Sequence, residues 1–241
     1  MAGFGFGNVA FVGSLGGGAA PPAVGTAFDP TVYDAAYLSW QGANTSAYWE
    51  DLSGKARHLR ATNGTAAVFP HTANVRNGKA AYVATAAEQG NFFVLPVLST
   101  VAADYTITVA FGVTTATQFT VLRPGDVALA FERTYLGINT ADLQAIYQNA
   151  GTGATVGAVA GDTLLLTYQL NAATGATIRR NRVVAQSGIG YLAAKFNGGD
   201  AFTARSGNIV GPIYALLLSV GNRTAAQIDA AEAYLTEQLA L

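Results

Sequence analysis

The chain has 241 residues, of which 51% are hydrophobic, 11% are charged and none is cysteine. This length allows one domain with a substantial core, which must form without disulfide bonds or thiolate metal sites. A formal net charge of −1 excludes nucleic acid and anionic lipid as partners bound by the whole molecule, since such binding needs excess lysine and arginine. The low share of charged residues indicates a surface shared with neighbours, and we expect a homo-oligomer, with a trimer as one option.

Residues 1–27 are predicted to form an extended anchoring arm and linker. The segment combines glycines and the pair Pro21-Pro22 with a few large apolar residues, namely Phe4, Phe6, Val9, Phe11 and Val12. Burying each phenylalanine contributes about 1.5–3 kcal/mol, whereas ordering each backbone residue costs about 1–2 kcal/mol. The arm therefore also needs backbone hydrogen bonds, which we expect a partner's sheet edge to supply. A disordered tail and insertion into the protein's own trimer axis are the alternatives.

The start of the chain lacks the basic residues and the continuous apolar run of a secretory signal. We therefore expect the mature chain to begin near Met1. The apolar runs further along are much shorter than the roughly 20 residues of a membrane span, and we expect no membrane partner.

The globular domain is predicted to span residues 28–241 and to consist mainly of short strands. Its runs of β-branched and aromatic residues are AAYVA, NFFVLPVL, DYTITVAFGV, QFTVLRP, VALAFERTYLGI, ATVGAVA, DTLLLTYQL, NRVVAQS and IYALLLSV. The turn pairs between them are Asn77-Gly78, Pro124-Gly125, Gly161-Asp162 and Gly198-Gly199. Alternate residues from Tyr105 to Phe111 fall on one face, which indicates a strand with one buried side. The pattern favours an all-β antiparallel sandwich or jelly roll.

The last segment, RTAAQIDAAEAYLTEQLAL, has a helical period instead. Thr224 is a candidate N-cap, and Gln227 completes a capping box three residues later. The apolar stripe consists of Ile228, Ala231, Leu235 and Leu239. We predict a helix over about residues 224–240 that packs this stripe against the sandwich.

Three stretches together resemble the concanavalin A-like (laminin G-like) jelly-roll domains of phage and bacterial surface proteins. YLSW followed by YWEDLSGKARHL resembles the family's opening strand and its W-x-D-x-S-G turn. NVRNGKAAYVA is similar to the next turn and strand, and VGPIYALLLSVGNRTAAQIDAAEAYLTEQLAL resembles the closing strand and helix. The resemblance covers about residues 29–241 and implies a concanavalin A-like sandwich. The opening GFGFG also resembles the starts of phage virion proteins.

The sequence offers little support for catalysis, and we predict no enzyme activity. Glu50-Asp51 is the one adjacent acidic pair, and it belongs to the W-x-D-x-S-G turn, where we expect Asp51 to accept backbone N–H bonds. Glycosidases need two carboxyl groups at a defined separation, and no strand shows that spacing. His58 and His71 lack acidic or serine partners at a recognisable spacing, so we expect them to be solvated or hydrogen-bonded.

No metal or other cofactor is predicted. Asp162 and Asp200 lie beside glycines in predicted loops and are the candidates for calcium ligands. Aspartates in turns are common for their backbone geometry alone. The pattern Asn44-Thr45-Ser46 matches a glycosylation acceptor, but we interpret Asn44 as a turn residue.

Sugar binding remains open, because domains of the resembled fold often bind sugars. Aromatic rings stack on the apolar faces of sugars. The aromatic candidates are Tyr37, Trp40, Tyr48, Trp49, Tyr135, Tyr147 and Tyr191, and we expect most of them in the core or at an interface. As glycan-binding candidates we select Tyr135, Tyr147 and Tyr191, together with Arg180 from the basic cluster Arg179, Arg180 and Arg182.

These features predict a bacteriophage virion structural protein of the capsid-decoration or head-fibre type. Its arm would bind a lattice of major capsid or tail subunits, and its lectin-like domain would be displayed on the particle, with a host surface glycan as a candidate ligand. The alternative is a tail-associated carbohydrate-binding receptor module. A glycan hydrolase is a third option.

Overall fold

The computed structural model describes residues 27–62, 69–84, 92–113, 119–124, 135–139, 144–149, 152–157, 161–191, 193–204 and 211–241. In these residues the chain forms a β-sandwich of two eight-stranded sheets with an α-helix at its C-terminal end. This confirms the predicted antiparallel jelly-roll sandwich and the C-terminal helix. The arm residues Phe4, Phe6, Val9, Phe11 and Val12 lie outside the described residues.

The strands, numbered in chain order, are β1 (Ala35–Leu38), β2 (Tyr48–Trp49), β3 (Leu59–Thr62), β4 (His71–Arg76), β5 (Lys79–Ala84), β6 (Phe92–Ala103), β7 (Tyr105–Gly112), β8 (Phe119–Pro124), β9 (Tyr135–Asn139), β10 (Gln144–Asn149), β11 (Thr152–Gly157), β12 (Thr163–Asn171), β13 (Gly175–Arg180), β14 (Val183–Ile189), β15 (Ala194–Ala204) and β16 (Gly211–Val220). A 3₁₀ turn at Pro30–Val32 precedes β1, and the helix α1 spans Ala225–Leu239.

Sheet A has the strand order β14-β13-β12-β7-β16-β5-β4, and β1 also pairs with β16. Sheet B has the order β11-β10-β9-β8-β15-β6-β3-β2. The two sheets enclose one aromatic-rich core. Alternate residues of β7, from Tyr105 to Phe111, point into this core and are at most 2% exposed, as the sequence predicted.

The other face of β7 is also buried, which corrects the prediction of one buried side. Thr106 and Thr108 are each 1% exposed, because α1 and the segment leading into it cover the outer face of sheet A. Their hydroxyls are hydrogen-bonded: Thr108 Oγ1 lies 3.0 Å from Thr167 Oγ1, and Thr106 Oγ1 donates to the Gly221 carbonyl at 3.2 Å. The threonines therefore mark a covered polar face rather than a solvated one.

The helix α1 begins as the sequence predicted. Thr224 accepts from the Gln227 N–H at 3.2 Å, and the Gln227 side chain accepts from the Thr224 N–H at 3.1 Å, which completes the capping box. The predicted stripe is buried on sheet A and consists of Ile228, Ala231, Leu235 and Leu239.

The end of α1 is held by the turn between β4 and β5. Arg76 donates to the carbonyl oxygens of Leu239 at 2.5 Å and Ala240 at 3.0 Å. Asn77 donates to the Gln238 carbonyl at 2.9 Å. These carbonyls have no partner within the helix, so the turn acts as a C-terminal cap supplied from another part of the chain.

The pair Gly198-Gly199 is not a turn, which corrects the prediction. Both residues lie inside β15 and its ladder continues through them, with Gly199 registered to Leu95 of β6 and Pro124 of β8. Gly198 has a φ of +84°, and a Cβ atom there would approach the Leu95 carbonyl oxygen to 3.1 Å. Glycine is therefore required here by a close approach of strands. Asp200 likewise lies in β15 and not in a loop.

No helix in the described part of the chain is both long enough and apolar enough to cross a membrane.

Candidate functional site

The loop between β1 and β2 is organised by Asn44. Its Nδ2 atom donates to the carbonyl oxygens of Leu38, Ser39 and Gln41 at 3.0, 3.1 and 2.7 Å. Its Oδ1 atom accepts from the Glu50 N–H at 2.9 Å. With donor and acceptor both engaged, Asn44 fixes the path of the chain into β2.

Asp51 organises the turn that follows β2. Its carboxylate accepts from the backbone N–H groups of Ala36, Ser53 and Arg57 at 2.9–3.0 Å and from the Ser53 hydroxyl at 2.8 Å. Burial alone would raise the pKa of Asp51, but these hydrogen bonds outweigh burial and the pKa lies below its ordinary value. Gly54, with a φ of +78°, completes the turn. These contacts agree with the expectation that Asp51 accepts hydrogen bonds from backbone N–H groups.

Beside this turn, Tyr48, His58 and Arg60 form a partly exposed aromatic and basic surface, which we name the Tyr48 patch. Tyr48 of β2 is registered with Arg60 of β3, and the Arg60 Cζ atom lies 5.5 Å from the centroid of the Tyr48 ring. The His58 ring lies 5.2 Å from the same ring, tilted by 42°. Trp49 and Leu59 alternate with these residues and are buried, so the patch faces away from the core.

The tautomer of His58 follows from its hydrogen bond. Its Nδ1 atom accepts from the Asp51 N–H at 3.1 Å. The neutral ring therefore carries its proton on Nε2. Within the described residues this Nε2–H has no acceptor, so it is available to a ligand.

The patch rests on a buried aromatic cluster centred on Trp49. The ring of Trp49 lies 4.9 Å from that of Tyr82, 5.5 Å from Phe93 and 5.6 Å from Tyr37. The Tyr82 hydroxyl also donates to the Tyr48 carbonyl at 2.5 Å. This packing ties the two-residue strand β2 to both sheets, which holds the Tyr48 backbone in place.

The surface of sheet B next to the patch is partly apolar. Arg60 is registered with Val94 of the neighbouring strand β6, and the Val94 side chain is 43% exposed. Val97 and Val101 on the same strand are 53% and 67% exposed. The outer surface of sheet B therefore becomes apolar beyond Arg60.

Tyr191, selected from the sequence as a glycan-binding candidate, lies in the core. It is 4% exposed, and its hydroxyl donates to the Ala103 carbonyl at 2.8 Å. Its ring packs within the inner cluster between the sheets. A ring in this position has no face to offer a sugar, which corrects the prediction that Tyr191 binds a glycan.

Tyr135 and Tyr147 lie in the adjacent strands β9 and β10, where Tyr147 is registered with Leu136 and Tyr135 with Gln148. Their side chains lie outside the described part of the structure, so their selection stays a prediction. Arg180 is described: its guanidinium lies 3.0 Å from the Asp162 carboxylate and is one-third exposed. Asp162, which the sequence offered as a candidate calcium ligand, thus forms an ion pair with Arg180.

The basic cluster around Arg179 mainly fastens the helix. The Arg179 guanidinium binds both carboxylate oxygens of Glu232 at 2.7–3.1 Å and lies 2.6 Å from the Asp229 carboxylate. Burial would lower the pKa of Arg179, but hydrogen bonds and charge from Glu232 raise it above its ordinary value. Arg179 is therefore engaged inside the protein and does not offer its charge to a partner.

A second ionic network joins the Asp51 turn to sheet A. The Asp34 carboxylate lies 3.0 Å from Lys55, 3.6 Å from Arg57 and 3.8 Å from Arg223. It also accepts from the Val220 N–H at 2.8 Å. Burial raises the pKa of Asp34, but the Val220 hydrogen bond and the cations lower it further than burial raises it. This network fixes the turn that carries His58.

Among the described residues, no three histidine, aspartate or glutamate side chains converge as a metal site requires. His71, the second histidine, lies with Nε2 2.7 Å from the Ser39 carbonyl oxygen. Both histidines are thus hydrogen-bonded to the backbone, as the sequence led us to expect.

Sequence comparisons give no assignment, since no protein-family model and no curated protein match the chain. Solved structures match in fold. Domain 4 of a GH43 extracellular arabinanase from Geobacillus stearothermophilus, in complex with arabinotriose, aligns with a TM-score of 0.57 at 12% identity, over 83% of this chain and 100% of that one. A Trypanosoma rangeli sialidase in complex with 2,3-difluorosialic acid has a TM-score of 0.59 at 10% identity, over 85% and 33% of the two chains.

The ligand binding domain of botulinum neurotoxin serotype D, in complex with N-acetylneuraminic acid, has a TM-score of 0.56 at 10% identity, over 85% of this chain and 51% of that one. The chain thus spans the whole arabinanase domain, a third of the sialidase and about half of the toxin fragment. At this level of identity the likeness shows the fold alone, a β-sandwich.

Proposed function

We propose that this protein is a carbohydrate-binding β-sandwich module that contacts its glycan through the Tyr48 patch. The observation that carries the proposal is the arrangement of Tyr48, His58 and Arg60, which joins an aromatic ring to two hydrogen-bond donors on one partly exposed surface. Carbohydrate sites combine these two properties, because a sugar has apolar faces and a polar rim. Similar folds that hold arabinotriose and N-acetylneuraminic acid support the proposal.

A binding assay with substituted proteins tests this proposal. On an array of host-surface oligosaccharides the protein should retain at least one glycan, and Tyr48→Ala should weaken that binding at least tenfold. Tyr234→Leu is the matched control, since Tyr234 is a partly buried tyrosine that stacks on Phe28 on the helix side of the molecule. If Tyr48→Ala binds as the parent protein does, the patch is not the site.

The proposed role is binding without turnover. Both oxygens of the Asp51 carboxylate accept hydrogen bonds from the turn, and Glu50 accepts from the Ala43 N–H. The adjacent acidic pair thus stabilises loops. Release of reducing sugar from a bound glycan that is abolished by Glu50→Gln would overturn this part of the proposal.

We also propose that the module is displayed on a bacteriophage particle, where residues 1–27 anchor it to capsid or tail subunits and several copies assemble into a homo-oligomer. The support is geometric. The first described residues lie against α1 on the outer face of sheet A, where Phe28 stacks on Tyr234 with ring centroids 4.6 Å apart. The Tyr48 patch belongs to sheet B, so an anchor at the helix side leaves the patch facing away from the particle.

Particle association tests the anchoring role. A chain lacking residues 2–20 should stay folded but no longer copurify with particles, whereas the full-length chain should do so. Normal incorporation of the shortened chain would refute the anchor. Native mass spectrometry of the full-length protein measures its oligomeric state, and a strictly monomeric protein would contradict the proposed assembly.

A further inference from the structure

The polar groups of the Tyr48 patch are mainly donors. Arg60 is exposed and has no carboxylate partner among the described residues, and its guanidinium is held over the Tyr48 ring. A guanidinium has N–H donors and no acceptor. His58 adds the Nε2–H group, because its Nδ1 atom is already bound to the Asp51 N–H.

The acidic groups near the patch are already engaged. Glu50, which follows β2, has its carboxylate bound to the Ala43 N–H and packed over Gly42. Asp51 is buried and accepts from the turn. Among the described residues, the patch thus has no free carboxylate that could neutralise the charge of Arg60. It also has no free carboxylate to accept hydrogen bonds from the hydroxyl groups of a neutral sugar.

We infer that the saccharide bound at the Tyr48 patch carries an anionic oxygen group, of which a carboxylate is the form that matches best. A carboxylate has two acceptor oxygens, and arginine binds it in a bidentate manner with stronger hydrogen bonds than a neutral hydroxyl makes. The two carboxylate oxygens would face the Arg60 guanidinium, and the sugar ring would lie against Tyr48 and His58. This inference rests on the proposed function and adds the class of ligand.

Paired probes separate the inference from the proposed function. The acidic probes are trigalacturonate and lactose capped with N-acetylneuraminic acid, and their neutral partners are the carboxyl-reduced trimer and lactose. By calorimetry the protein should bind at least one acidic probe at least tenfold more tightly than its neutral partner, which corresponds to about 1.4 kcal/mol. The affinity for that probe should fall as salt is raised from 50 to 500 mM.

A substitution locates the effect. Arg60→Gln should bind the acidic probe and its neutral partner with equal affinity, because the guanidinium that favours the carboxylate has been removed. Arg182→Gln, which removes an exposed arginine from the β13–β14 hairpin, is the matched control and should change neither affinity. If the protein binds both members of each pair equally, and Tyr48→Ala abolishes that binding, the inference is wrong and the proposed function stands. No binding of any of the four probes would overturn the inference, and an empty oligosaccharide array would overturn the proposed function.

Discussion

Glu232 shows how one side chain fastens the helix to the sandwich. Its side chain is 1% exposed, and its carboxylate holds the Arg179 guanidinium through two oxygens. Burying a carboxylate is unfavourable unless a partner neutralises it and fills its hydrogen-bonding capacity. This ion pair also joins two layers of the protein, since Glu232 belongs to α1 and Arg179 to β13 of sheet A.

We expect Glu232→Ala to lower the free energy of unfolding by about 3 kcal/mol, because it leaves a largely buried guanidinium with less than its full set of partners. Asp229→Ala is the matched control: its carboxylate contacts the same guanidinium but is 54% exposed, so the loss should stay below about 1 kcal/mol. Urea denaturation of the three proteins measures both values. Equal losses for the two variants would show that burial of Glu232 does not decide the strength of this contact.

Asp51 leads to a prediction about pH. The hydrogen bonds of the folded state hold the pKa of Asp51 below its ordinary value of 3.8, so its contribution to stability is present above that pH and is lost as pH falls through the folded-state pKa. At pH 6, Asp51→Asn should lower the free energy of unfolding by about 2 kcal/mol. At pH 3 the difference between the two proteins should be smaller.

Urea denaturation at both pH values measures this difference. Asp34, whose pKa is lowered as well, is present in both proteins, so its effect cancels in the comparison. Glu50→Gln is the control, as it changes the neighbouring carboxylate and keeps the Asp51 turn intact. A difference between Asp51→Asn and the parent that does not change from pH 6 to pH 3 would contradict the role assigned to the ionised carboxylate.

At the scale of elements, the turn between β4 and β5 and the helix α1 depend on each other. Asn77 and Gly78 both have positive φ, 45° and 69°, which suits a tight hairpin turn. The same turn directs Arg76 and Asn77 to the last carbonyl oxygens of α1. One turn therefore connects the strands of a hairpin and caps the C-terminal end of a helix.

Removing the Arg76 side chain should destabilise the end of α1 in particular. Arg76→Ala loses the bonds to the Leu239 and Ala240 carbonyls and the 3.0 Å bond to Thr163 Oγ1, so we expect a loss of about 1–2 kcal/mol. Amide hydrogen exchange in the last turn of α1 should accelerate more than exchange in its first turn. Lys79→Ala, a cation on the same hairpin, serves as control, and an equal effect of both variants would contradict the capping role.

Local patterns in the sequence were sufficient for the features that depend on neighbours in the chain. The capping box at Thr224 and Gln227, the apolar stripe of α1 and the inward face of β7 each follow from a spacing of two to four residues, and the structure confirms them. The cap from Arg76 could not be predicted in this way, because it joins residues more than 160 positions apart and depends on which strand lies under the helix end.

The Tyr48 patch illustrates the same limit for the candidate site. Tyr48 was one of seven aromatic candidates, and nothing local distinguished it from Trp49, the next residue. The two are separated by strand alternation, which places Trp49 in the core and Tyr48 outside. Tyr191 was selected as a ring that could stack on a sugar, yet the packing of the two sheets buries its ring.

At the scale of the whole molecule, the protein is layered as helix, sheet A, core and sheet B, and these layers separate its two proposed surfaces. The first described residues lie on the helix side, and the edge of sheet B carries the Tyr48 patch. Near the start of the described chain lies Phe28, whose ring stacks on Tyr234 at 4.6 Å and lies 6.1 Å from the Tyr33 ring.

This arrangement predicts where the chain can be shortened. A protein without residues 2–26 keeps the Phe28 contacts, so its free energy of unfolding should stay within about 0.5 kcal/mol of the full-length value. In the full-length chain, Phe28→Ala removes a partly buried ring and its stacking, and we expect a loss of about 1–2 kcal/mol. Urea denaturation under identical conditions compares the two. If the shortened chain loses more stability than Phe28→Ala does, the first 26 residues belong to the fold of the domain, and the boundary at Phe28 and the proposal of a separable anchor are both wrong.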